Sequence, residues 1–211
     1  MNYSEQHLLV QRTARYYTTG EITSHTREVW FVLHGYAQLA SDFIRLFQFA
    51  ASPYRVIIAP EALQRFYVKG SAGSVGATWM TKEDRTSDIA DNLFYLDALY
   101  HSCLQNSPVK YVTVLGFSQG AATASRWVHH AGSTIHRLIL YAGEIAHELI
   151  PLPAGSALLR TENHFLIGRD DKYFASETAD EIIKRYTAHN ISVDVFDGGH
   201  NIVPQALKKF L

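Results

Sequence analysis

The stretch Gly116-Phe117-Ser118-Gln119-Gly120 follows the apolar, β-branched run Tyr111-Val112-Thr113-Val114-Leu115 and leads into Ala121-Ala122-Thr123-Ala124. Read locally, that is a strand, a sharp turn and a helix. Glycines at 116 and 120 let strand and helix pass close around the turn, where a side chain would clash. A Gly-x-Ser-x-Gly turn in this setting strains the serine backbone, projects its hydroxyl above the sheet, and aims N–H groups of the helix start at the same point. Alone, the pattern says little, because a serine after a strand also caps helices. Its meaning depends on what stands at the ends of the other strands.

Those strands are legible as short apolar runs: Val29-Trp30-Phe31-Val32-Leu33, Val56-Ile57-Ile58-Ala59, Leu138-Ile139-Leu140-Tyr141, His164-Phe165-Leu166-Ile167 and Ser192-Val193-Asp194-Val195-Phe196. Near-continuous apolar runs mark strands covered on both faces. Helical spacings fall between them, over 39–50, 88–104, 120–131, 176–189 and 204–211, with Ser87 or Asp88 as the expected cap of the second. Strands alternating with helices predict an α/β fold around a mainly parallel sheet with right-handed crossovers. Residues 6–19 interleave apolar and polar positions, which predicts exposed antiparallel strands at the N-terminal edge.

With 211 residues, 47% hydrophobic and 18% charged, the chain is expected to form one domain over 1–211. A net charge of -1 leaves no electrostatic footprint for nucleic acid or an anionic membrane. The expected partner is a small, mostly uncharged molecule; exposed apolar residues on edge elements would support a homodimer. Cys103 stands alone, so no intramolecular disulfide forms, and no segment reaches the roughly 20 apolar residues of a membrane span. A cytoplasmic location is the expectation.

In open α/β sheets ligands bind beyond the carboxyl ends of the strands. Four chemically telling segments sit there: His34-Gly35-Tyr36, Ser118, Asp170-Asp171 and His200. Ser118 needs a neutral imidazole to take its proton, and His200, in the turn Asp197-Gly198-Gly199-His200-Asn201, is the candidate base. The orienting carboxylate should come from Gly168-Arg169-Asp170-Asp171, where adjacent side chains diverge, so that either aspartate, but not both, can face His200. The backbone N–H groups of Tyr36 and Gln119 are the expected oxyanion donors. His34 is read as a loop-holding side chain rather than a second base.

No metal or cofactor is expected. His147-Glu148 lacks a second histidine at the zinc-protease spacing, position 151 being proline, and 70–76 does not join a strand to a helix as a phosphate loop does. That segment is read instead as a flexible loop at the crevice rim. Trp79, Met80 and Tyr173, with Phe66, Tyr67 and Phe174, are candidates for an apolar acyl-binding wall.

At this point the chain resembles the phospholipase/carboxylesterase family of α/β-hydrolases, which includes acyl-protein thioesterases. Leu33-His34-Gly35-Tyr36 is similar to that family's oxyanion loop, Gly116 to Gly120 to its elbow, and Gly199-His200 to its terminal histidine turn. The family places its acidic residue three after a glycine, and the spacing of Gly168 and Asp171 selects Asp171. The resemblance implies a three-layer α/β-hydrolase sandwich, a Ser118-His200-Asp171 triad, and cleavage of carboxylic esters or thioesters through an acyl-enzyme. Ala37-Gln38 stands where the family usually has Gly and Asp, and Lys172-Tyr173 where it has Pro and a small apolar residue. The segment between Gly143 and Arg160 is too short for a large cap domain, which implies an open site. A peptidase or carbon–carbon hydrolase on the same triad is the main alternative, and a non-catalytic binding protein of the same fold the other.

Overall fold

The computed structural model describes residues 3–131, 134–174 and 179–211. A seven-stranded sheet runs in the order β1-β3-β2-β6-β7-β8-β9. Its strands are β1 (Tyr16–Thr18), β2 (Glu28–Leu33), β3 (Arg55–Pro60), β6 (Tyr111–Phe117), β7 (Arg137–Tyr141), β8 (Glu162–Gly168) and β9 (Ser192–Phe196). Only β1 is antiparallel to its neighbour; the rest pair in parallel. The short strands β4 (Gln64–Tyr67) and β5 (Val75–Thr78) form a separate antiparallel hairpin.

Each apolar run feeds two cores at once, because successive side chains leave opposite faces of a strand. Val29, Phe31 and Leu33 join one cluster with Leu96, Trp127 and Tyr186, from helices α2 (Arg85–Leu104), α3 (Gln119–His130) and α4 (Ala179–Thr187). Trp30 and Val32 join the other with Phe43, Phe47, Leu207 and Phe210, from α1 (Ala40–Phe43), α5 (Pro204–Leu207) and the 3₁₀ turns that extend them. Helices on both faces of a mostly parallel sheet with one antiparallel edge strand make the three-layer α/β sandwich expected of an α/β-hydrolase. The segment between β7 and β8 holds two single-turn 3₁₀ pieces, His147–Leu149 and Ala157–Leu159, and no cap domain.

Several local expectations change. Residues 6–15 form no strand; Leu8, Leu9 and Val10 are exposed, and only Tyr16–Thr18 finds a partner, on β3. The expected helix over 39–50 is one α turn followed by a 3₁₀ helix over Ile44–Ala50. Ile44, Phe47 and Ala50, all buried, recur every third residue, which is the 3₁₀ period. Helix α2 starts earlier than expected, at Arg85, so Asp88 is no cap. Its carboxylate instead accepts from Gln64 Nε2 and the Thr81 N–H. The expected start of α4 at residues 176–178 lies outside the described residues. Its end is set by Asn190, left-handed at φ 57, with the Ile191 N–H returning to the Tyr186 carbonyl. The last expected helix is α only over Pro204–Leu207 and continues as 3₁₀ to Phe210. Residues 70–76 are the turn and first strand residues of the β4–β5 hairpin, not a free loop.

Candidate active site

Ser118 occupies the turn from β6 into α3 with φ 52 and ψ −119, a conformation that costs a non-glycine residue on the order of 1–3 kcal/mol. The neighbours enforce it. A Cβ on Gly116 would fall 2.3 Å from the Gly120 carbonyl oxygen, and the Ser118 N–H is held 3.0 Å from the Tyr141 carbonyl of β7. Gly143 contributes equally, since a Cβ there would sit 2.2 Å from the Ser118 carbonyl oxygen. Its place just after a strand end was the available signal.

The loop after β9 brings His200 over this serine. Its Nε2 lies 3.0 Å from Ser118 Oγ and its Nδ1 2.8 Å from Asp171 Oδ2. A carboxylate only accepts, so Nδ1 carries the proton and Nε2 is left to receive one from the hydroxyl. Asp171, after β8, has a fully buried side chain whose Oδ1 accepts from the Tyr173 N–H at 3.0 Å. The carboxylate therefore orients the imidazole and closes its own turn. Asp170 is exposed, contributing its N–H to the Gly198 carbonyl, while Arg169 pairs with Asp197. The His200 loop is fastened to the sheet by the Val203 N–H donating to Tyr141 Oη at 2.9 Å.

On the other side of Ser118 stands the loop after β2. Among the described residues, the N–H groups of Tyr36 and Gln119 have no protein acceptor. Several groups around them are bonded. Gln38 Oε1 accepts from the Gly35 N–H, while Ala37 and Gln38 pair with Ala77 of β5. The Gln119 side chain donates through Nε2 to Thr78 Oγ1 and the Met80 carbonyl and accepts the Trp79 N–H. Fully buried His34 receives the Ala62 N–H on Nε2, which fixes Nδ1 as donor to the Gly35 carbonyl. Burial lowers its pKa to about 4. With both nitrogens engaged and no exposed surface, it holds the loop.

Of the expected wall residues, Trp79 is only 1% exposed, and its Nε1 donates to the His34 carbonyl. Its indole needs a polar partner when buried, and that partner is the loop itself. Trp79 therefore props the loop from within instead of lining an open wall. Half-buried Met80 turns its Sδ toward the Arg126 guanidinium on α3, 3.6 Å away. Phe174 packs on core residue Phe165. Tyr173 does face solvent beside His200, their rings 4.4 Å apart, and exposed Tyr36 lies against Phe66 of the hairpin. Sequence reasoning overlooked the bonds that Gln38 and the Gln119 side chain make; polar residues beside the Tyr36 loop and the elbow were the clue.

A surface cavity of ≈ 760 Å³, lined by Tyr100, His101, Lys110 and His136 among others, opens at the far, amino-terminal end of β6 and β7 and touches none of these groups. Among the described residues, the His and carboxylate groups near enough to share an ion are Glu5, His7 and Asp84, all exposed and outside the Ser118 constellation. Also among the described residues, no helix is long and apolar enough to cross a membrane.

A family model of serine hydrolases, FSH1, matches residues 38–210. The chain belongs to the FSH1 serine hydrolase family. The span that matches FSH1 includes Ser118, Asp171 and His200 and begins just after the Tyr36 loop. Solved structures that share the fold of this FSH1 chain include the esterase PE8 (21% identity, TM-score 0.63, covering 94% of this chain and 96% of that one). Zea mays acyl-protein thioesterase 2 is 18% identical with a TM-score of 0.66, covering 94% and 96%. A carboxylesterase from Mesorhizobium loti is 18% identical with a TM-score of 0.64, covering 96% and 95%. These are the kinds of protein to which the motifs of the sequence bear a resemblance. No curated protein sequence matches the chain.

Proposed function

We propose that the protein hydrolyses carboxylic esters through an acyl-enzyme on Ser118. The observation that carries this is the single imidazole of His200, 2.8 Å from Asp171 on one side and 3.0 Å from Ser118 Oγ on the other. Ser118 Oγ forms a bond to the acyl carbon as its proton passes to His200 Nε2. The tetrahedral oxyanion is held by the Tyr36 and Gln119 N–H groups, worth roughly 3 kcal/mol per donor in comparable sites. Collapse breaks the bond to the leaving oxygen, which takes the proton from His200. Water, deprotonated by the same imidazole, then attacks the acyl-enzyme, and the acid leaves as Ser118 regains its proton. Asp171 keeps Nδ1–H in place and offsets the imidazolium charge throughout.

Thioesters present the same acyl carbon, and the fold shared with a protein named as an acyl-protein thioesterase makes them the first alternative substrate to try. A fluorophosphonate probe is expected to add to the wild-type chain and not to Ser118→Ala, and p-nitrophenyl acetate turnover is expected to vanish with the same substitution. Equal labelling of both proteins would overturn the assignment of Ser118. Labelling without turnover of either esters or thioesters, but with cleavage of aminoacyl amides, would move the reading to a peptidase.

A further inference from the structure

The mechanism above leaves the exposed Tyr173 ring beside His200 unused, and its position selects a substrate feature. Resting on that ester-hydrolase reading, we propose that Tyr173 is the platform on which the departing alcohol or thiol stacks, so that the enzyme favours flat, unsaturated leaving groups.

The geometry is one-sided. His200 touches two aromatic rings: Phe117, with centroids 5.0 Å apart, and Tyr173, at 4.4 Å and an interplanar angle of 54°. Phe117 is 5% exposed and packs in the sheet core with Phe43 and Tyr141. Tyr173 is 68% exposed, so most of its surface is free to receive something else. In acylation the leaving atom must come within hydrogen-bond reach of His200 Nε2 to be protonated. Ring and imidazole are in contact, so the group attached to that atom lies within the breadth of one imidazole of the Tyr173 ring. The oxyanion donors belong to a different pair of loops, after β2 and β6, so Tyr173 is no part of their pocket.

The platform is also rigid where it matters. The Tyr173 N–H donates to Asp171 Oδ1, and the Phe174 N–H returns to the Asp171 carbonyl. One carboxylate thus fixes both the proton carrier and the backbone from which the ring projects. Lys172 adds a cation 5.6 Å from the same ring centroid, on an exposed side chain. An exposed ring fixed at its base and beside the imidazole that delivers the proton is suited to offset or edge stacking, which adds a modest, shape-dependent increment to binding.

A competing role for Tyr173 is to steady His200. The two roles separate by step, because His200 acts in acylation and deacylation alike, whereas the leaving group is gone before water attacks. Phenyl acetate and hexafluoroisopropyl acetate deposit the same acetyl group and release alcohols of similar acidity, only one of them flat. For Tyr173→Ala, kcat/KM for phenyl acetate is expected to fall about tenfold relative to the fluoroalkyl ester, with the deacylation rate of the acetyl-enzyme kept near wild type. Tyr173→Phe, which retains the ring, is expected to restore the preference.

Equal losses on both esters together with slower deacylation would show that the ring acts only through His200. No change in the ratio would show that it contacts no leaving group. Either result overturns the proposal while leaving Ser118 chemistry intact. If the wild-type chain neither takes the fluorophosphonate probe nor forms an acetyl-enzyme, the hydrolase reading itself fails, and that outcome is separable from the other two.

Discussion

On the proposed oxyanion side of Ser118, the loop after β2, the β4–β5 hairpin and the start of α3 are bound into one block by His34, Gln38, Trp79 and Gln119, with His34 and Trp79 fully buried. On the proposed acid–base side, His200 and Tyr173 reach the surface and both bond the buried Asp171 carboxylate, while backbone bonds such as Asp170 N–H to the Gly198 carbonyl, and Val203 N–H to Tyr141 Oη, tie their loops down. The contrast fits what the proposed mechanism asks of each side. Donors that stabilise a developing charge act best when they need no reorganisation, which a buried, fully bonded block provides. A proton carrier that must meet leaving group and then water needs an open face. The two sides should accordingly fail in different ways: the acid–base side in chemistry with the fold intact, the oxyanion side in stability and chemistry together.

The largest expected effect lies on the acid–base side. Asp171→Asn leaves a side chain of the same shape but presents an amide that favours the wrong imidazole tautomer, so kcat is expected to fall about 10⁴-fold with little change in melting temperature. Asp170→Asn, exposed, is expected to stay within about twofold of wild type. Steady-state kinetics on the two variants decides between neighbours, and the reverse ranking would detach His200 from Asp171 in function.

Next comes a stability effect confined to the oxyanion block. Burial lowers the His34 pKa from 6.5 to about 4. As pH falls below 6.5 the unfolded chain takes up this proton first, so folding weakens steadily until about pH 4, below which this group adds no further loss. The linkage amounts to about 3 kcal/mol across that window. His34→Gln has no such proton to bind. Urea midpoints measured from pH 7.5 to 4 should therefore fall more steeply for the wild type than for the variant, and parallel profiles would mean that the fold does not penalise protonation of His34.

A smaller, mixed effect tests whether the block is one unit. Gln119→Ala keeps the backbone N–H proposed as an oxyanion donor but removes the side-chain bonds to Thr78, Trp79 and Met80. Loss of about 2 kcal/mol of stability and a kcat decrease of about tenfold are expected together, because Trp79 is left with an unpaired N–H and the Tyr36 loop loses its backing. Lost stability with unchanged kcat would show that the hairpin is scaffold alone.

The same contrast governs what could be read before folding. Strands β2, β3, β6, β7, β8 and β9 were legible because double-sided burial writes continuous apolar runs, and Ser118, Asp171 and His200 because each stands where such a run ends. The hairpin was not. Gln64-Arg65-Phe66-Tyr67 and Val75-Gly76-Ala77-Thr78 carry no strong alternation, and their pairing is fixed by contacts with Ala37, Gln38 and Gln119, distant in sequence. Trp79 was misassigned for the related reason that an indole reads alike in a wall and in a core until its N–H partner is known. The exposed arm at 6–15 shows the converse, apolar residues in strand-like rhythm with no edge to pair against.

The smallest expected effect concerns backbone strain, which the two sides handle with different residues. The Tyr36 loop turns at Ala37 with φ 63, where an L-residue costs about 1–2 kcal/mol, whereas the His200 loop turns at Gly198 with φ 157. Ala37→Gly removes the strain but adds about 0.5–1 kcal/mol of unfolded-chain entropy to be lost on folding. The balance favours a stability gain of up to about 1 kcal/mol, seen as a melting temperature higher by about 2–4 °C. Activity should hold, since Ala37 N–H to the Ala77 carbonyl and Gln38 Oε1 to the Gly35 N–H still fix the turn. Gly198→Ala should move the other way, because its Cβ would meet the Phe196 ring at 3.0 Å in addition to the unfavourable φ. A lower melting temperature for Ala37→Gly would mean that the methyl group's packing against the hairpin outweighs the strain, and that the oxyanion block is tighter than its hydrogen bonds alone require.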